Sequence, residues 1–226
     1  MRLKASEWTF PLCLAPMAGY TDLPFRLLCR EQGADIVTTE MISAKGLVYG
    51  AAATRALLSS APEEQPLIVQ LFGREPEIVA AAARIAEETL GDALLALDIN
   101  MGCPAPKITG NGEGSALMRE PALAGRIVEA AARAVSVPVT VKCRSGWDAG
   151  SVNAPEFARR MEESGAAMLT LHARTRERFY AGEADWALIS RVRARIRIPL
   201  IVNGDVRSGR DALAMREQTG CDGVSV

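Results

Sequence analysis

Eight short apolar runs rich in Val, Ile and Leu alternate with helical stretches along this chain, and that alternation predicts an α/β fold closing as a (β/α)8, or TIM, barrel. The runs fall at 12–16, 35–39, 67–72, 94–99, 138–143, 167–172, 199–203 and 222–226. They are too short for independent helices and often continuous rather than alternating, which suits parallel strands buried on both faces. No G-x-G-x-x-G follows the first run. This disfavours the other architecture built from such units, an open doubly wound sheet.

The helical stretches are rich in Ala, Arg and Glu and lie at 22–32, 75–90, 120–135, 154–164, 185–195 and 207–219, with a further helix expected within 42–60. Gly33, Gly91, Gly165 and Gly220 each end such a stretch where a left-handed cap is expected, and Glu75-Pro76 suits a helix first turn. The eighth run reaches the last residue, Val226. The loop and helix of an eighth unit do not follow it, and an open barrel seam would expose an apolar edge. The chain is therefore expected to be truncated within the eighth strand.

At 226 residues, 49% of them apolar, one domain spanning 1–226 is expected, and no Pro-, Gly- or Ser-rich linker divides it. A formal net charge of -1 excludes a strongly basic whole-surface attraction to nucleic acid and leaves room only for local clusters. The five cysteines (Cys13, Cys29, Cys103, Cys143, Cys221) are odd in number and widely spread, with no C-x-x-C pair. This points to a reducing compartment and away from a disulfide framework or a structural zinc. The N-terminus lacks the apolar core of a signal peptide and no run of membrane-spanning length follows, so a soluble cytoplasmic protein is expected. Oligomeric state is left open.

Barrel chemistry sits at the C-terminal strand ends, and those ends are polar here. The first carries Ala15-Pro16-Met17-Ala18-Gly19, the second Thr39-Glu40-Met41, the third Gln70, and the fourth Asp98-Ile99-Asn100-Met101-Gly102-Cys103-Pro104. The fifth carries Lys142 and Arg144, the sixth His172 and Arg174, the seventh Asn203-Gly204-Asp205. Cys103 follows its strand in a tight polar turn, and that position makes it a candidate for chemistry. Lys142 either points into the barrel, where it needs an anionic or electron-rich partner, or is an ordinary exposed lysine. His172 is the only histidine; with no second histidine or carboxylate pair nearby, no metal site is expected, and beside Lys142 it becomes a candidate cofactor contact. Asn203-Gly204-Asp205 reads equally as a β-turn or as backbone amides cradling a phosphate.

Taken in order, these segments resemble the tRNA-dihydrouridine synthases, flavin-dependent enzymes that reduce uridines in tRNA. The resemblance runs from Leu14 to the last residue, adding to the strand ends above Tyr20-Thr21-Asp22-Leu23-Pro24-Phe25-Arg26, Gln70-Leu71-Phe72-Gly73, Val141-Lys142-Cys143-Arg144-Ser145-Gly146-Trp147 and His172-Ala173-Arg174-Thr175-Arg176. It implies an FMN-binding barrel, with NADPH or NADH as reductant, followed by a helical tRNA-binding domain that is not in this sequence. It places Pro16, Met17 and Ala18 against the flavin and Gln70 on the pyrimidine edge of its ring. Lys142 goes to the N1/O2 side with His172 also in contact, and Asn203, Gly204 and Asp205 lie towards the ribityl and phosphate end. Asn100 is assigned to the uracil edge, and Arg174 and Arg178 to the uridine or the tRNA backbone.

The reaction explains the cysteine. Reducing the uracil C5=C6 bond takes a hydride at C6 and a proton at C5 from the other face, and Cys103 fits as proton donor, since an ordinary thiol stays mostly protonated at neutral pH. The resemblance predicts a mobile loop from Pro104 to Ser115, whose Gly110, Gly112 and Gly114 permit closure over the substrate. The target base must leave its stack, at a cost that phosphate contacts elsewhere offset. The series Arg191, Arg193, Arg195 and Arg197 reads either as part of such a phosphate-binding patch or as a solvated helix face. Three alternatives stand beside this reading. They are a flavin barrel acting on a small molecule, such as a dihydroorotate dehydrogenase, an aldolase barrel with Lys142 as Schiff-base nucleophile, and a non-catalytic tRNA-binding remnant.

Overall fold

The computed structural model describes residues 1–226. A short antiparallel hairpin, β1 (Arg2–Leu3) and β2 (Ser6–Glu7), precedes the barrel. Sequence reasoning gave no sign of it, because two-residue strands carry no periodicity. Its Lys4 ammonium donates to the Leu94 carbonyl, and Leu3 packs with Cys13, Ile36, Ile68, Leu95, Met168 and Ile201. The hairpin thereby plugs the mouth where the barrel strands begin.

Eight parallel strands follow: β3 (Leu12–Cys13), β4 (Val37–Ser43), β5 (Leu67–Phe72), β6 (Leu94–Met101), β7 (Val139–Arg144), β8 (Met168–His172), β9 (Leu200–Asn203) and β10 (Gly223–Ser225). They pair in the order β3-β10-β9-β8-β7-β6-β5-β4. A bridge between Cys13 and Ile36, with the Leu14 N–H donating to the Ile36 carbonyl at 2.8 Å, joins β3 to the approach to β4 and completes the ring. The seam expected to lie open is thus hydrogen-bonded. β10 pairs on both edges, and Val226 extends it by donating to the Cys13 carbonyl and accepting from the Ala15 N–H. Ladder pairing needs only the strand residues themselves, so the ring closes without a following helix.

The period of two along each strand decides which side chains face the interior. On β6, Leu94, Leu97, Ile99 and Met101 join the main core of 41 residues between sheet and helices, and on β7 Val139, Val141 and Cys143 do the same. Asp98 and Asn100, and Thr140, Lys142 and Arg144, therefore point into the barrel. This resolves the two readings of Lys142 in favour of the interior.

The helices Leu23–Glu31, Pro76–Leu90, Pro121–Ala134, Ala154–Glu163, Trp186–Arg193 and Gly209–Thr219 form the outer layer, close to the expected ranges. Their buried stripes, such as Val79, Ala82, Ala83 and Ala86, or Phe157, Ala158 and Met161, pack on the outward strand residues. The region 42–60 holds two short helices, Ala44–Val48 and Ala52–Ala56, separated at Gly50, whose φ is 75°. The expected glycine-hinged loop also contains regular structure: an α-turn at Pro106–Thr109 and a 3-10 helix from Gly114 to Arg119. Of the Arg191 to Arg197 series, Arg193 bonds Asp222 and the Ile196 and Ile198 carbonyls where the chain turns into β9. That is the N-terminal end of the strands, opposite the polar rim, so the series forms no part of the candidate site.

Candidate active site

The C-terminal strand ends surround a cleft of about 830 Å3, within the range of small-molecule sites. Pro16, Met17, Ala18, Gln70, Asn100, Cys103, Lys142, His172, Arg174, Asn203, Gly204 and Asp205 all line it. Arg178 does not; it is exposed on the segment after β8. Sequence reasoning passed over Phe179, Tyr180 and Arg207, which also line the cleft, as do Tyr20 and Met41 of the motifs quoted above. Tyr20 and Tyr180 are 70% and 75% exposed, a pair of open aromatic faces at its mouth.

One wall is a single chain of side-chain hydrogen bonds. The Asp98 carboxylate accepts from Thr140 Oγ1 at 2.6 Å and from Gln70 Nε2 at 2.7 Å. Gln70 Oε1 accepts from Asn100 Nδ2 at 2.7 Å, and Asn100 Oδ1 accepts from the Gly102 and Cys103 N–H groups at 3.2 and 2.9 Å. The Cys103 carbonyl accepts in turn from the Ser115 N–H and hydroxyl. Gly114, with φ 60°, lets the chain pass so close that a β-carbon there would sit 2.8 Å from that carbonyl. The signal for Asp98 and Thr140 was present in the sequence, since each lies two residues before a residue singled out and so shares its face.

The adjoining wall is cationic. Lys142 Nζ donates to Asn203 Oδ1 at 3.2 Å, and Asn203 Nδ2 donates to the Ser225 carbonyl. Arg144 donates to the carbonyls of Gly102, Thr175 and Phe179, tying the Cys103 turn to the segment after β8. Arg174 is buried; it pairs with Asp205 at 2.6 Å, donates to the Gly182 carbonyl and lies 3.2 Å from His172 Nε2. Asp205 itself has φ 61°, an uncommon backbone for a non-glycine residue, held by its carboxylate accepting from Arg174 and from the Ala184 N–H.

Burial sets the charge states. It pushes the Asp98 carboxyl up to about 6 even though Thr140, Gln70 and Lys142 favour the anion. Burial and the Arg144 charge bring Lys142 down to about 8. Burial, reinforced by Lys142, Arg144 and Arg174, drives His172 down to about 2, so its ring is neutral. For Asp205 burial is outweighed by the Ala184 N–H and by Arg174, which hold the carboxyl below its ordinary range. Lys142 and Asp98 also share a cavity of about 20 Å3 inside the barrel, between Thr38, Thr170 and Ser225.

An ammonium carries three N–H donors, and one protein acceptor answers Lys142. The residues present therefore fit an electron-rich or anionic group seated against the Pro16 to Ala18 backbone. No group of three or more His, Cys, Asp or Glu side chains could hold a metal ion, and no helix is long and apolar enough to cross a membrane.

The sequence model of the family described as "Dihydrouridine synthase (Dus)" matches residues 13–226, the whole barrel. The chain belongs to this family. It is 48% identical over 213 residues to a "Probable tRNA-dihydrouridine synthase" of Rhizobium leguminosarum bv. phaseoli, covering 94% of this chain and 66% of that protein. It is 43% identical to the "tRNA-dihydrouridine synthase B" of Xanthomonas campestris pv. campestris, covering 94% of this chain and 63% of that one. The chain thus spans about two thirds of the length of these relatives. Among solved structures, the old yellow enzyme homologue from Zymomonas mobilis superposes with a TM-score of 0.71 over 100% of this chain and 86% of that one, at 13% identity. That likeness shows the barrel fold alone, shared between the family and a protein of distant sequence.

Proposed function

We propose that this chain is the catalytic barrel of a tRNA-dihydrouridine synthase, reducing the C5=C6 bond of uridines in tRNA with FMN and with NADPH or NADH as reductant. The observation that carries the reading is the meeting, in one cleft, of an inward lysine with donors to spare, a neutral histidine and a cysteine held on a fixed turn. Family membership supports it.

FMN, when bound, supplies the hydride for uracil C6. The backbone of Pro16, Met17 and Ala18, with Gln70, Lys142, His172, Asn203, Gly204 and Asp205, would hold it. Lys142 offers the positive charge that an electron-rich ring takes, and neutral His172 contacts the ring without adding charge. Cys103 holds on Sγ the proton destined for C5. The chain's one imidazole is engaged with Arg174 and surrounded by cations, so it is not the base that would turn Cys103 into a nucleophile. Asn100, with both ends of its amide occupied, acts on the uracil side by fixing the Cys103 turn. Arg174 acts through Asp205, and exposed Arg178 remains free to meet RNA. The target uridine enters extruded from its stack, passing the open rings of Tyr20 and Tyr180, on which unstacked bases can rest. A tRNA substrate implies a cytoplasmic protein.

Cys103→Ala tests the proton-donor role. The variant is expected to bind flavin, seen by its visible absorbance, and to lose most dihydrouridine formation on unmodified tRNA with NADPH. Normal turnover by the variant would overturn the assignment.

A further inference from the structure

The chain of side-chain bonds ending at Cys103 has a direction, and its two ends dictate it. At one end the Asp98 carboxylate can only accept; at the other the Gly102 and Cys103 backbone N–H groups can only donate. Gln70 must therefore present Nε2 to Asp98, which leaves Oε1 for Asn100. Asn100 must then present Nδ2 to Gln70, which leaves Oδ1 for the two N–H groups of the turn. Neither amide can flip without setting like against like at both ends. Thr140 fixes the second carboxylate oxygen, so the origin of the chain is held on both sides. Asp98 and Gln70 are buried, at 4% and 0% exposure, where an unpaired amide or carboxylate is costly and the bonds are strong.

We infer that Asp98 is a positioning residue for Cys103: its carboxylate orients the Gln70 and Asn100 amides, and through them holds the Cys103 turn at the edge of the cleft. Asp98 touches neither the thiol nor the space above it. The inference rests on the proposed proton-donor role of Cys103, and it names the buried group on which that donor's placement depends. Misplacing a reacting group by about 1 Å can cost on the order of 100-fold in rate. A turn with its side-chain cap removed is free to move that far.

Three variants and one measurement on the unaltered protein test this. In the wild type, hydrogen exchange at the Gly102 and Cys103 amides is expected to be slow although they lie beyond the strand. In Asp98→Leu, those two amides are expected to exchange at least tenfold faster while the amides of β7 and β8 keep their protection. In the same variant kcat for dihydrouridine formation falls between ten- and 100-fold, with KM for tRNA unchanged. Asp98→Asn, whose Oδ1 still accepts from Gln70 and whose Nδ2 can face the Thr140 oxygen, should stay within a few-fold of wild type on both readouts. Thr140→Val, which frees one carboxylate oxygen, should fall between the two.

Fast exchange at Gly102 and Cys103 in the wild type would overturn the inference whether or not the leucine variant folds. So would wild-type exchange and kcat in a folded Asp98→Leu, or an asparagine variant as impaired in turnover as the leucine one. Full turnover by Cys103→Ala would instead remove the proton-donor reading, and the exchange results would still report the relay by themselves.

Discussion

Replacing Asp98 by asparagine should change how stability depends on pH, by an amount that follows from burial. The carboxyl rises from 3.8 to about 6 in the fold. At about 1.36 kcal/mol for each tenfold change in proton affinity, that displacement corresponds to about 3 kcal/mol. The folded state binds this proton more tightly than the unfolded chain does. Its contribution is therefore fully present below about pH 4, declines as pH rises, and is gone once pH has passed about 6. The Asp98→Asn variant has no proton to lose at this position, so it lacks this decline. The assay is urea unfolding of both proteins across pH 4 to 7, taking the difference at each pH so that titrating groups remote from Asp98 cancel. The wild type should lose about 3 kcal/mol relative to the variant between the two ends of that range. A difference that stays flat, or that moves in favour of the wild type as pH rises, would refute the burial argument.

Three other outcomes follow from the structure. Arg26 and Glu64 form a buried pair, 2% and 0% exposed, with contacts of 2.5 and 3.2 Å. Glu64→Ala strands the guanidinium and should cost about 3–5 kcal/mol, a fall in Tm on the order of 10 °C by calorimetry; an unchanged Tm would show the pair to be dispensable. Gly114→Ala forces a β-carbon to within 2.8 Å of the Cys103 carbonyl at φ 60°, so dihydrouridine formation should drop at least tenfold with flavin absorbance retained. An NMR titration of the single histidine should show a neutral His172 ring throughout pH 5 to 8, and an inflection near its ordinary value of 6.5 would mean that burial and the surrounding cations do not act on it as described.

Periodicity and composition made the eight strands and most helices legible, because a barrel strand buried on both faces leaves an unbroken apolar run. The hairpin Arg2–Glu7 was invisible, since its value lies in plugging the barrel mouth rather than in any local pattern. The break at Gly50 rests on one residue's positive φ and leaves no periodic signal, whereas the helical turns after Pro104 were missed because Gly110 and Gly114 were read as hinges when they serve as tight-approach points. Cleft residues were legible wherever a polar side chain interrupted an apolar strand end. Their engagement with one another was not: Asn100 and Gln70 are bonded in one chain and Arg174 to Asp205, and no local pattern announces those pairings. Which polar group faces another across a barrel depends on the register of non-adjacent segments, and no one-dimensional pattern carries that. The Arg191 to Arg197 series shows the converse, a charge pattern that the fold carries to the far end of the barrel.

Reduction of tRNA uridines by this barrel is decided by mass-spectrometric quantification of dihydrouridine in an unmodified tRNA after incubation with this protein, FMN and NADPH. A gain of two hydrogens at specific uridines, dependent on both FMN and NADPH, is the expected result. A protein that takes up flavin and oxidises NADPH yet leaves every uridine unreduced would contradict it.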